Sequence, residues 1–248
     1  MSSGALPIER LVAHRGYQAK YPENSLIGIE AALAAGIVNI ECDVQFSGDG
    51  VAMLYHDLNL NRVSGLPGTI LDYSCAELQK LPAGEPGRLG EQFSDVRIDP
   101  LSDLLPLVEQ YRQTRFFIEI KSETLHQIGR EAAIAQLCQL FTAHADRVVM
   151  ISFDIEVIRC ARELDWPLCG VVLSDPEQAS SETLLGIDPD YIYIDQLLIS
   201  NHFRAQEQVL NAQWVAYEVV DKTMGWRLLE RGFGLLESFD TLSLAEPI

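Results

Sequence analysis

Residues 46–50 read FSGDG and separate two apolar runs, VNIECDVQ (38–45) and VAMLYHD (51–57), that both look like strands. Parallel neighbours need a crossover of a dozen or more residues, so a turn this short makes the pair an antiparallel hairpin. With the turn centred on Gly48 and Asp49, residue numbers across it sum to about 97, which sets His56 opposite Glu41. The other strand candidates are RLVAH, RFFIEIK, RVVMISF, LCGVVL, YIYID, QWVAYEVV and FGLLESF. They alternate with amphipathic segments such as SLIGIEAALAAG, LSDLLPLVEQYRQ and DIEVIRCARELD. Such alternation implies parallel strands joined by helices, either in a closed barrel or in an open doubly wound sheet. Setting the hairpin strand VAMLYHD aside leaves eight, the number of a (β/α)8 barrel of the TIM type.

The expected architecture is therefore one barrel domain spanning 1–248, with an extra hairpin strand after strand 2 and a long excursion over 57–100. A stretch that long inside a compact domain covers something or is functional. Only TLSLAEPI follows the last strand, so the eighth helix is expected to be short or absent. The outer face between the last and first strands would then be partly bare, and an apolar patch there would serve a homodimer.

With 48% apolar residues the chain can bury a sizeable core. A net charge of −18 argues against nucleic acid and anionic membrane surfaces, and an anionic substrate would need a locally positive pocket or a metal. The five cysteines form no CxxC pair and read as buried thiols. MSSGALPIERLVAH lacks the basic and apolar regions of a signal peptide, and no apolar run nears the ~20 residues of a membrane span. A cytoplasmic protein without membrane insertion is expected.

Side chains two apart on a strand share a face. Glu41 and Asp43 therefore stand opposite Ile40, Cys42 and Val44, while Phe117, Glu119 and Lys121 stand opposite Phe116, Ile118 and Ile120. In a barrel the apolar rows face the helices and the charged rows face the axis. Three carboxylates buried together cost several kcal/mol each unless compensated, and a hard divalent cation, Mg2+ or Ca2+, takes such oxygen ligands. His14 and His56 both follow strands, where barrel enzymes keep catalytic groups, and two histidines beside a metal can serve as general acid and base. His126, His144 and His202 lie in or before helical segments and read as surface residues.

These residues resemble the glycerophosphodiester phosphodiesterase family, whose pattern runs H-R-G, P-E-N-[ST], E-x-D, H-D, E-x-K. The chain has HRG, PENS, ECD, YHDLNL and IEIK in that order, then VMISFD, over residues 11–175. The resemblance implies metal-dependent hydrolysis of glycerophosphodiesters, derived from deacylated phospholipids, to glycerol 3-phosphate and an alcohol. Glu41, Asp43 and Glu119 would hold one divalent cation, Mg2+ or Ca2+. His14 and His56 would be the acid/base pair, and Arg15 and Lys121 would contact the phosphate. It leaves open which histidine is the base, and whether water or the glycerol 2-hydroxyl attacks. A lysophospholipase D or sphingomyelinase D-like lipid phosphodiesterase, or a non-catalytic phosphodiester-binding barrel, are the rival readings. The family's W-T-V-N is replaced by Tyr217, Glu218, Val219 and Val220, and its closing T-D-x-P by Glu237, Ser238, Phe239 and Asp240. Glu218 and Glu237 thus either act as substrate-binding groups, binding a polyol or disfavouring an anionic group at the substrate alcohol's side, or are solvated strand ends. In PENS, Ser25 or Asn24 would cap the first helix.

Overall fold

The computed structural model describes residues 4–180, 182–208 and 211–246. The expected 1–248 span runs past these at both ends, and the first three residues of MSSGALPIERLVAH and Pro247 and Ile248 of TLSLAEPI lie outside them. Nine strands form one sheet: β1 (Leu11–Ala13), β2 (Asn39–Phe46), β3 (Ala52–Leu54), β4 (Arg115–Ile120), β5 (Val148–Ser152), β6 (Cys169–Leu173), β7 (Tyr191–Asp195), β8 (Gln213–Tyr217) and β9 (Leu235–Ser238). Their order is β1-β9-β8-β7-β6-β5-β4-β2-β3, and β1 also pairs with β2. All neighbours except β2–β3 are parallel, so eight strands close a TIM-type barrel and β3 hangs on its outside as an antiparallel hairpin arm.

The period of two decides which side chains face the axis. Val12, Phe117, Val149, Val172, Tyr193 and Val215 pack inside the barrel. Their alternates Ile40, Cys42, Val44, Phe116, Ile118 and Ile120 pack outward against the helices. Those helices are α1 (Leu26–Ala34), α2 (Leu105–Gln110), α3 (Arg130–Phe141), α4 (Ile155–Glu163), α5 (Glu182–Ile187), α6 (Lys222–Glu230) and α7 (Thr241–Ala245). Between β7 and β8 the described residues hold only the turn of helix Ala205–Glu207. Ser25, Asp154, Asp221 and Asp240 each accept an amide hydrogen bond as N-caps of α1, α4, α6 and α7.

Two expectations need correction. In the hairpin Val44 faces Leu54 and Gln45 faces Met53, one residue away from the expected register. Cys42, not Glu41, is therefore in step with position 56, and β3 ends before it. The turn is one residue looser than a count centred on Gly48 and Asp49 assumes, because Ser47 N donates to Val51 O (2.9 Å) as the last rung. Second, the seam beside β1 is not bare. α7 is only five residues long, as expected, but Leu6 is 2% exposed and its amide donates to Leu244 O at 2.9 Å. Gly225 on α6 makes room for it, since a Cβ there would lie 2.4 Å from the Leu6 side chain. Leu6 and Leu244 are both buried at that seam.

The excursion has a core of its own, in which Met53 and Tyr55 meet Leu60, Val63, Ile70, Leu78 and Ile98. The outer edge of β3 is covered by an amide: Ala52 N donates to Gln136 Oε1 (2.9 Å) and Gln136 Nε2 donates to Gly50 O (3.0 Å). The five cysteines are free thiols, and among the described residues no helix is long and apolar enough to cross a membrane. If Leu6 is core, Leu6→Ala should cost about 2–5 kcal/mol in urea unfolding. A loss near zero would make the N-terminal segment a surface appendage.

Candidate active site

Four carboxylates meet at the C-terminal end of the barrel. β2 supplies Glu41 and Asp43, β4 supplies Glu119 in register with Asp43, and β9 supplies Glu237 in register with Val12 of β1. All are buried, Asp43 completely. Ligand atoms of Glu41, Asp43 and Glu119 lie within 4.8 Å of one another, as do those of His14, Glu41 and Glu237. Glu41 belongs to both groups.

Positive charge reaches this layer unevenly. Lys121 Nζ lies 2.8 Å from Asp43 Oδ1 and also pairs with Glu119, while Arg15 Nε lies 3.0 Å from Asp43 Oδ2. Burial alone would raise the Asp43 pKa, but Lys121 and Arg15 outweigh it and hold the group well below the usual carboxylate range. Glu119 is pushed up to about 7 by burial, against the pull of Lys121. Burial pushes Glu41 and Glu237 well above the usual range, and the neighbouring carboxylates add to it. Glu41 Oε1 and Glu237 Oε2 are buried without a hydrogen-bond partner. An all-oxygen set with orphaned, under-neutralised carboxylates suits a hard divalent cation.

His14 follows β1, its amide donating to Ser238 O at 3.1 Å. Its ring stacks on Phe239 with centroids 4.3 Å apart. Nδ1 lies 2.7 Å from Glu218 Oε2 and 3.6 Å from Glu237 Oε1, while Nε2 is 3.9 Å from Glu41 Oε2. Burial lowers the His14 pKa, partly offset by Glu218. Glu218 Oε1 also accepts from Phe239 N at 2.7 Å. Glu218 is thus not a freely solvated strand end: it is a bracket between β8, β9 and His14. Glu237, 3% exposed, is no solvated strand end either.

The turn after β1 is wound left-handed, with φ of 57° at Arg15 and 78° at Gly16. A Cβ on Gly16 would lie 2.8 Å from Ile29 N, so the glycine of HRG lets α1 approach the turn. Arg15 N donates to Glu41 Oε2 at 2.9 Å. Ser25 is the α1 cap, and Asn24 clamps β2 instead. Its Nδ2 donates to Asp43 Oδ2 and its Oδ1 accepts from Asp43 N, both at 2.9 Å.

His56 arrives by a different path from the one expected. Past Leu54 the observed register holds for one more rung, Tyr55 N donating to Asp43 O (3.1 Å), and His56 O then accepts from the Gln45 side-chain Nε2 (3.0 Å). Its Nδ1 lies 2.6 Å from Asp57 Oδ1. His56 lines a cleft of about 260 Å3 with Glu119, Lys121, Ser152 and Phe153. A groove of about 660 Å3 between residues 196–201 and 220–231 lies apart and includes none of the expected site residues.

All eight residues expected at the site thus gather at one end of the barrel. Sequence reading missed Glu237 in the carboxylate layer, and it missed Glu23, Asp57, Asn24 and Phe239 as supports. The parity of LLES, with Leu235 and Glu237 on one face, was the available signal for Glu237. His144 pairs with Arg147, and His126 and His202 are exposed.

A parallel barrel with its charged residues collected at the C-terminal mouth belongs to the TIM-type class that carries ligand chemistry at that face. The glycerophosphoryl diester phosphodiesterase family model matches residues 14–213, and the chain belongs to that family. It is 35% identical over 144 residues to a glycerophosphodiester phosphodiesterase of Bacillus altitudinis, covering 58% of each protein. It is 30% identical over 154 residues to mouse glycerophosphodiester phosphodiesterase 1, covering 62% of this chain and 45% of that one. The chain thus spans about six tenths or less of the length of these relatives. The structure of an Oleispira antarctica phosphodiesterase in complex with the product sn-glycerol-3-phosphate is similar with a TM-score of 0.84 at 26% identity, covering 96% of this chain and 95% of that one. The glycerophosphodiester phosphodiesterase of Thermotoga maritima shares the fold, with a TM-score of 0.72 at 21% identity over 94% and 95% of the two chains.

The raised carboxylates fix a sign. A carboxylate whose folded pKa lies above its unfolded value contributes stability that is full below the unfolded pKa and lost as pH rises through the folded one. For Glu119 that window runs from its ordinary 4.5 to about 7. Cation binding needs the ionised form, so Ca2+ or Mg2+ should raise the melting temperature more at pH 8 than at pH 5. An equal shift at both pH values would mean that the cation sits elsewhere.

Proposed function

We propose that this chain is a phosphoric diester hydrolase that cleaves glycerophosphodiesters to glycerol 3-phosphate and an alcohol, using His14 and His56 as the acid/base pair. The observation that carries the reading is the joint burial of Glu41, Asp43 and Glu119 beside Arg15, Lys121 and two histidines at the barrel mouth. Membership in the phosphodiesterase family and the likeness to a phosphodiesterase seen with sn-glycerol 3-phosphate support it.

In-line displacement forms one P–O bond and breaks another, so a proton must leave the nucleophile and one must reach the departing alkoxide. Glu218 occupies His14 Nδ1 and Asp57 occupies His56 Nδ1, which frees each Nε2 for proton transfer. Arg15 and Lys121 neutralise the non-bridging phosphoryl oxygens as charge develops. Glu41, Asp43 and Glu119 would hold one divalent cation, Mg2+ or Ca2+, with Glu237 alongside. Bound there, it supplies Lewis-acid stabilisation of the phosphoryl charge.

Release of glycerol 3-phosphate from glycerophosphocholine should be abolished by EDTA and restored by Mg2+ or Ca2+; absence of turnover on any glycerophosphodiester would sink the reading. His14→Ala and His56→Ala should each lose roughly 10²–10⁴-fold in kcat. Glu41→Ala should also lose activity, and it alone of the three should weaken metal binding. A cyclic phosphate detected early would identify the glycerol 2-hydroxyl as nucleophile. Glu218→Gln should lower kcat by roughly 10–100-fold, as loss of a partner that orients a histidine does. A changed alcohol preference with kcat intact would return Glu218 to a polyol-binding role.

One observation favours a second reading, a lipid phosphodiesterase of the lysophospholipase D kind. Phe153, Leu197, Leu198 and Val220 are 48%, 79%, 43% and 69% exposed, and all follow barrel strands at the mouth. Single-chain lysophosphatidylcholine hydrolysed faster than glycerophosphocholine, with Leu197→Asp erasing that preference, would select it.

A further inference from the structure

Arg62 stands on the short helix Asn61–Ser64 of the excursion, between the buried side chains of Leu60 and Val63. Its guanidinium is occupied on two sides. Nε and Nη2 donate to Asp57 Oδ2 (2.8 Å) and Oδ1 (3.0 Å). Nη1 and Nη2 donate to Glu23 Oε2 (2.6 Å) and Oε1 (2.7 Å). Both carboxylates continue into the site. Asp57 Oδ1 lies 2.6 Å from His56 Nδ1. Glu23 receives Arg15 Nη1 at 3.3 Å on each oxygen, and Arg15 Nε pairs with Asp43 at 3.0 Å. A continuous line of charge-assisted contacts therefore runs from His56 through Asp57, Arg62, Glu23 and Arg15 to Asp43.

The energetics make Arg62 the keystone of that line. The Glu23 side chain is 1% exposed, so without Arg62 its charge falls on Arg15 alone and competes with Asp43 for that guanidinium. Asp57 would likewise lose the partner that fixes it against His56. A lysine cannot replace the function, because a point-like ammonium does not present two planar pairs of donors to two carboxylates at once.

We propose that Arg62 is a positioning residue of the reaction, setting the His56 ring through Asp57 and the Arg15 guanidinium through Glu23. This rests on the phosphodiesterase reading above. The excursion thereby joins the two walls of the site, one carrying HRG and PENS and the other carrying His56.

The test compares Arg62→Gln, Arg62→Lys and Arg62→Ala with Arg159→Gln, which breaks an exposed pair with Glu156 on the barrel's outer face. Turnover of glycerophosphocholine is read as kcat and KM, and the imidazole nitrogen resonances of His56 are read by NMR without substrate. All three Arg62 variants should lose roughly 10–100-fold in kcat with a smaller change in KM. Added guanidinium should restore part of the Arg62→Ala loss, and the His56 resonances should move in the Arg62 variants but not in Arg159→Gln. An unchanged kcat, unmoved His56 resonances, or a loss that follows melting temperature alone without guanidinium recovery overturns the proposal. Should Arg62→Gln fail to fold, Arg62→Lys is judged by the same readouts. A wild-type chain without turnover overturns the phosphodiesterase reading instead. The His56 resonances then still decide whether Arg62 holds that ring, and unmoved resonances overturn it.

Discussion

Everything at the mouth of this barrel answers to one cost: four carboxylates buried in one layer with two cations among them. Asp43 takes the largest share of the compensation, from Lys121, Arg15 and the Asn24 Nδ2 donor. Glu41 and Glu237 keep buried oxygens without partners. In an apolar lumen lined by Phe117, Ile151 and Val215, such groups are neutralised either by protons or by a cation. Stability and ligand chemistry thus draw on the same electrostatic deficit.

That arrangement holds because its side chains are tied from outside the barrel. The left-handed turn at Arg15 and Gly16 brings a backbone amide onto Glu41 and an arginine onto Asp43. Phe239 and Glu218 fix the His14 ring from β9 and β8. The excursion contributes a small apolar core that anchors Arg62, and through it the carboxylates behind Arg15 and His56. Glu85 adds a second tie, accepting from Glu23 N at 2.8 Å while paired with Arg88. The long excursion is therefore a buttress of the site as well as a cover.

Much of this was legible in the chain. All nine strands appear where β-branched and aromatic runs were read, because a strand buried on both faces must be apolar wherever it is not functional. For the same reason the carboxylates of ECD and IEIK stood out: a charge on a buried strand needs a purpose. Glu237 obeyed the same parity but lay in a short strand whose neighbours gave it no second carboxylate to be read with. The register of the hairpin failed by one residue, since turn geometry depends on hydrogen bonds such as Ser47 to Val51 that composition does not specify.

The supports escaped sequence reading for a different reason. Asn24 lies 19 residues from Asp43, and Glu23 lies 39 from Arg62. Leu6 meets helix α6 and α7 across almost the whole chain. No local period links such positions. By itself the sequence determined the barrel, the hairpin and the identity of the charged residues at the strand ends, because alternation and burial act over a few neighbouring residues. Only the tertiary structure decided which carboxylates share charge, which histidine nitrogen is held and what braces the arginine. Those depend on distances between segments that only chain closure brings together.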